Sequence, residues 1–324
     1  MTQYTRREWL AGASAFVLGG CASGVRRETE RVDIPTGSGQ FEISGGKGRE
    51  ARRITIYCHR PASFTRRSPI LLVVPGAGRN GDDYRDVWVK FADAAGVLVV
   101  SPSYPESAYD AAAYQLGGVI ENLVVGKPLP ESTPTSVYLR DEDIRFDVNP
   151  RQDEWLFHDF ERLFDVVVNA TGSRQRQYDA FGHSAGGQVL HRHALLAPRS
   201  RARRIVAGNS GFYTLPELDT PLPTGLAGLG LDDDTLRRAF ARDLTILLGE
   251  NDNDPDRGGS HLHTPTLDRQ GRHRLARGQH FFRVATERAR KLGADFRWKL
   301  QIVPGVGHDY RGMTAAAAKL MYGV

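Results

Sequence analysis

Short apolar runs recur along this chain at residues 54–57, 69–74, 97–100, 178–182, 204–208, 244–248 and 297–303, and their spacing limits the fold more than any other feature. Residues 70–74 read Ile-Leu-Leu-Val-Val without interruption, the pattern of a strand buried on both faces of a parallel sheet. Residues 54–57 alternate, as a strand does when one face is less covered. Helical patterns lie between the runs. Leu156, Phe160, Leu163, Phe164 and Val167 fall on one face at 3.6 spacing, with Asn149-Pro150 as the expected cap and first-turn proline. Further helices are predicted over 185–197 and 279–292. Strand and helix in alternation predict an α/β fold, a doubly wound and mostly parallel sheet.

Two stretches break that rhythm, near 104–149 and 211–234, both rich in proline. Each follows a strand, so both are expected as lid-like insertions over the end of the sheet where strands finish. The 324 residues are 40% hydrophobic and 25% charged, which fits one large globular domain, placed at 51–324. The net charge of +5 comes from scattered arginines, in pairs such as Arg66-Arg67 and Arg203-Arg204, so solvated surface is expected rather than a nucleic-acid footprint.

Residues 1–20 read as an export signal. Arg6-Arg7 precedes an apolar run at 11–18, too short for the roughly 20 residues that span a bilayer. The twin arginines resemble a Tat signal, and Leu18-Gly19-Gly20-Cys21 resembles a lipobox. That resemblance implies lipidation of Cys21 and a membrane-anchored protein of the bacterial envelope or periplasm. Residues 21–50, poor in large apolar side chains, suit a flexible tether or an early edge hairpin. With Cys21 and Cys58 as the two cysteines, a disulfide framework is not expected, and Cys58 reads as a small buried hydrophobe.

The chemistry concentrates in four places. Gly182-His183-Ser184-Ala185-Gly186 closes one strand and opens a helix, the context in which G-x-S-x-G exposes a nucleophilic serine on a sharp turn. A serine hydroxyl needs a base, and the last strand leads into Gly305-Val306-Gly307-His308, a loop that offers His308. The orienting acid is expected after the preceding strand, in Gly249-Glu250-Asn251-Asp252-Asn253-Asp254. Asp252 has the best spacing, with Asp254 and Glu250 as alternatives. The same run lacks the glycine and distant glutamate of a calcium loop. Oxyanion stabilisation needs two converging amides, nominated as those of Ala185 and of Ala77 in Pro75-Gly76-Ala77-Gly78. His261 and His263 are expected to pack in a loop, and His191 and His193 to point to different faces of a helix. No metal or cofactor is required. With histidine's ordinary pKa near 6.5, activity is expected to fall below about pH 6.

On these motifs the chain resembles the α/β-hydrolase superfamily from about Arg52 to the C-terminus. Residues 75–85 are similar to the corresponding loop of polyhydroxybutyrate depolymerases and feruloyl esterases, which commonly carry His-Gly where this chain has Pro75-Gly76. The resemblance implies a serine esterase acting on a small or polymeric ester. An exported peptidase, an acyltransferase and a non-catalytic binding lipoprotein of the same fold stay open as alternatives.

Overall fold

The structure is a computed structural model that describes residues 32–324, so the export segment and Cys21 lie outside the described residues. Along the chain come β1 (Gly37–Ser44), β2 (Arg53–Arg60), β3 (Ile70–Val74), α1 (Gly81–Ala95) and β4 (Leu98–Ser103). The first insertion carries β5 (Ile120–Val125), β6 (Ser136–Tyr138) and β7 (Ile144–Val148). Then follow α2 (Phe157–Thr171), β8 (Tyr178–His183), α3 (Ala185–Leu196), β9 (Ala202–Gly208), α4 (Asp233–Phe240) and β10 (Asp243–Gly249). The chain closes with β11 (His261–His263), α5 (Pro265–Asp268), α6 (Arg274–Leu292), β12 (Lys299–Val303) and α7 (Tyr310–Tyr322).

Eight strands form the main sheet in the order β1-β2-β4-β3-β8-β9-β10-β12. From β4 to β12 neighbours are parallel, and β1 and β2 add an antiparallel edge. The expected mostly parallel α/β sheet is present. The unbroken apolar run of β3 has a simple cause: Ile70, Leu72 and Val74 enter the core on one face, Leu71 and Val73 the core on the other. Helices α2, α3 and α6 cover the first face through Phe160, Val189 and Phe281. Helices α1 and α7 cover the second through Trp88, Met313 and Ala317.

Two expectations change, and one choice is settled. Of the tether and the edge hairpin offered for 21–50, the hairpin is present from Gly37: strand β1 pairs with β2 along its whole length and sets Phe41 and Ile43 opposite Ile56 and Ile54. Asn149-Pro150 does not cap α2, which begins only at Phe157. Asn149 instead donates to the Gly118 carbonyl at 2.9 Å and accepts from the Arg151 N–H at 3.0 Å, closing the first insertion on itself. Helix α6 starts at Arg274, earlier than its apolar period suggests, because the His273 ring accepts from the Ala276 N–H and caps the first turn.

The insertions leave the carboxyl ends of β4 and β9, and one side chain of the nucleophile-bearing helix bonds to both. The buried guanidinium of Arg192 on α3 donates to the Gln115 carbonyl at 3.0 Å in the first insertion and to Thr214 Oγ1 at 2.9 Å in the second. It also lies 4.9 Å from the centre of the Phe212 ring. Between the insertions and residues 262–269 is a cavity of about 610 Å³, with Leu116, Ile120, Phe146, Phe212 and Leu222 in its lining. No helix among the described residues is long and apolar enough to cross a membrane.

Candidate active site

Ser184 occupies the single residue between β8 and α3, at φ 58° and ψ −116°, a region that side chains other than glycine enter at a cost. Its surroundings hold it there. The Ser184 N–H donates to the Gly208 carbonyl at 2.9 Å, joining the bend to the end of β9. Helix α3 then passes so close to β3 that a Cβ on Gly186 would lie 2.0 Å from the Val74 carbonyl oxygen. The glycine two residues after the serine is therefore a steric necessity.

His308 follows β12 in a loop fastened to the one after β10. Asn251 N–H donates to the Val306 carbonyl at 2.8 Å, and Glu250 N–H to the Val303 carbonyl at 3.0 Å. These two loops bring the sequence-predicted residues together. His308 Nε2 is 3.0 Å from Ser184 Oγ, and His308 Nδ1 is 2.8 Å from Asp252 Oδ2. Asp254 and Glu250, the alternative acids, point elsewhere: Asp254 Oδ1 accepts from the Asp256 N–H at 2.9 Å, and Glu250 Oε2 from the Gly305 N–H at 2.8 Å.

Burial favours the neutral imidazole. It pushes the His308 pKa below the ordinary histidine value, with the Asp252 carboxylate pulling upward and the Arg274 cation adding to the fall. A neutral imidazole with Nδ1–H on the carboxylate leaves Nε2 as an acceptor facing the serine hydroxyl.

The two nominated amides are differently placed. Ala185 is the first residue of α3, and a first-turn N–H has no acceptor within its own helix. Ala77 lies at an exposed corner of the turn closed by Arg79 N–H on the Gly76 carbonyl at 3.1 Å. That turn stands against the nucleophile, since a Cβ on Gly76 would lie 3.7 Å from Ser184 Cβ. The first insertion fixes it from behind: Tyr114 Oη donates to the Pro75 carbonyl at 2.7 Å, and Arg79 Nη1 to the Tyr109 carbonyl at 2.7 Å.

Sequence reasoning missed Asn209. This buried residue has φ 45° at the end of β9, and its side chain staples both loops. Oδ1 accepts from Gly249 N–H at 2.8 Å, and Nδ2 donates to the carbonyl of Gly307, next to His308, at 3.0 Å. A left-handed asparagine after a strand carries no sequence pattern of its own. Asn209→Ala is expected to lower kcat by about tenfold to a hundredfold and stability by about 1–3 kcal/mol. Steady-state kinetics beside a thermal melt checks both.

The other residues singled out are structural. His191 bonds the Gly187 carbonyl and accepts from Thr214 N–H, while His193 packs against Phe157 and Phe160. His261 and His263 lie on strand β11 rather than in a loop, buried with rings 4.8 Å apart. Cys58 is buried in the core. Among the described residues no group of three or more His, Cys, Asp or Glu is arranged to hold a metal ion.

No family model and no curated protein sequence matches the chain. Among solved structures it is similar to poly(aspartic acid) hydrolase-1 from Sphingomonas sp. KT-1, at 34% identity over 89% of this chain and 100% of that one, with a TM-score of 0.77. It is also similar to LpqC, a poly(3-hydroxybutyrate) depolymerase from Bordetella parapertussis, at 30% identity over 89% and 90% of the two chains, with a TM-score of 0.75. An IroE-like serine hydrolase from Shewanella oneidensis shares the fold at 12% identity and a TM-score of 0.51, over 88% and 80% of the chains.

Proposed function

The chain belongs to the α/β-hydrolase superfamily of serine hydrolases, and on that premise we propose that it cleaves carboxylic esters through Ser184, His308 and Asp252. The observation that carries this reading is the line from Asp252 Oδ2 to His308 Nδ1 at 2.8 Å and from His308 Nε2 to Ser184 Oγ at 3.0 Å. In the forward half, His308 removes the serine proton as Oγ attacks the ester carbonyl. The amides of Ala77 and Ala185 hold the oxyanion, and Asp252 stabilises the imidazolium. The imidazolium gives its proton to the leaving alcohol, which leaves an acyl-serine. Water, deprotonated by the same imidazole, then releases the acid and restores the serine. No step calls for a metal or cofactor.

A fluorophosphonate probe tests the assignment, because it labels a serine whose neighbour accepts its proton. Labelling at Ser184 that disappears in Asp252→Asn supports it, and an unlabelled wild-type protein refutes it. The acid limb of kcat/KM reports the free base. Because burial lowers the His308 pKa, that limb is expected below histidine's ordinary 6.5, with activity persisting to lower pH than the sequence implied. A titration of kcat/KM from pH 8 downward that places the limb above 6.5 contradicts the buried neutral imidazole.

The full-length likeness to a poly(aspartic acid) hydrolase, together with a net charge of +5, favours a second reading, amide cleavage in an acidic polymer. Turnover of poly(aspartate) beside a set of esters of graded acyl length separates the two. From sequence, we also propose export to the envelope with a lipid anchor at Cys21, for which Cys21→Ser is expected to release the protein from membranes.

A further inference from the structure

We propose that Arg274 is a positioning residue for this reaction, its guanidinium holding the Asp252 carboxylate and the loop at 257–260 as one unit against His308. The inference rests on the assignment of Ser184, His308 and Asp252 above. Arg274 is the first residue of α6, where the positive end of the helix disfavours a cation. It is nevertheless almost fully buried, and its contacts explain why. Nη1 lies 3.5 Å from Asp252 Oδ1, the oxygen not used by His308, and donates to the Arg257 carbonyl at 3.1 Å. Nη2 donates to the carbonyls of Gly259 and Ser260 at 3.1 and 3.2 Å. The next amide, Leu275 N–H, donates to the Asp252 carbonyl at 3.0 Å, so the start of α6 grips both ends of the acid residue.

The clamped loop is what packs on the imidazole. Gly258, at φ +82°, approaches so closely that a Cβ there would stand 2.1 Å from His308 Cβ. A single planar fork thus fixes two of the surfaces that orient the ring: the carboxylate on Nδ1 and the backbone against Cβ. Only a guanidinium offers donors in that geometry, because an ammonium is a point charge without a plane.

The same cation sets the charge around the base. Asp252 and Asp309 favour the imidazolium, while Arg274 opposes it. His183, whose ring centre lies 4.6 Å away, and His261 are held neutral by burial and leave this balance to the three charged groups. Removing the Arg274 charge therefore raises the pKa of the base and moves the acid limb of kcat/KM to higher pH.

Two variants separate geometry from charge. Arg274→Gln is expected to move the acid limb upward and to lower plateau kcat by about tenfold to a hundredfold with KM little changed. Arg274→Lys is expected to keep the wild-type limb, because it keeps the charge, yet to lose about tenfold in kcat because it lacks the fork. An unmoved limb in Arg274→Gln, or wild-type kcat in Arg274→Lys, overturns the proposal. If the glutamine variant does not fold, the lysine variant decides alone. Fluorophosphonate labelling of the wild type is run in parallel: its failure removes the Ser184 assignment, whereas labelling with unaltered Arg274 variants removes only the role of the arginine.

Discussion

Replacing Ser184 by alanine is expected to lower kcat on an ester substrate by about 10⁵–10⁶-fold while leaving the melting temperature close to that of the wild type. The size of the loss follows from the chemistry, because no acyl-enzyme forms without Oγ and the remaining groups then act only on bound water. The small effect on folding follows from geometry. Ser184 Oγ has one side-chain partner, His308 Nε2, and His308 stays fixed by Asp252. The strained φ of 58° is unchanged by alanine, since both residues carry a Cβ. Kinetics with a chromogenic ester and a calorimetric melt on the same preparation check both halves. Turnover within about tenfold of wild type would remove Ser184 from the mechanism.

The second large effect concerns acid. His183, His191, His193 and His261 are all buried, with pKa values driven down by loss of solvent, for His193 to about 3. In the unfolded chain each binds a proton near pH 6.5, whereas in the folded chain it does not. Folding stability is therefore full above pH 6.5 and falls as pH drops below it, until the folded groups also protonate. At about pH 5 the loss is roughly 2 kcal/mol for His193, and His183, His191 and His261 add to it in the same direction, against a total stability of about 5–15 kcal/mol for a typical domain. Asp159, buried with its pKa raised to about 6, works in the opposite sense and returns roughly 1 kcal/mol over the same interval. A steep fall in melting temperature between pH 6.5 and 5 is the expected observation. His193→Met should make it shallower, because it removes one of the four groups, a ring between Phe157 and Phe160 with neither nitrogen bonded. A melting temperature flat across that interval would refute the account.

These two predictions draw on different parts of what the sequence discloses. Gly182 to Gly186, His308 and Asp252 were legible because each lies just past a run of apolar residues, and short-range glycine spacing marks the bends that carry them. The sheet was legible for the same reason. Strand β1 was only half legible, as one of two readings, because Gly37 and Gly39 supply no alternating pattern and its strand state depends on pairing with β2. The arginines divide: pairs such as Arg66-Arg67 are exposed as expected, but others are not. Composition places them in water, yet Arg79, Arg192, Arg274 and Arg277 are buried. Arg203, though exposed, and the partly covered Arg204 both reach the buried carboxylate of Asp179. Irregular and edge backbone explains much of this: Arg277 reaches the carbonyl of Gly211 in the second insertion at 2.7 Å and that of Leu262 on the short strand β11 at 2.9 Å. A demand for donors by folded loops leaves no trace in a local window of sequence. Asn209 escaped for a related reason, since its partners, Gly249 and Gly307, lie far along the chain.

The attachment of the insertions bears on how such a protein diversifies. Arg192 grips the first insertion by a main-chain oxygen, at Gln115, and the second by the hydroxyl of Thr214. Because the first anchor is a main-chain oxygen, the side chain at position 115 can change without loosening that bond, and the bend that bears Ser184 keeps its shape. Descendants of one such ancestor can thus exchange the molecules they recognise without reinventing the reaction.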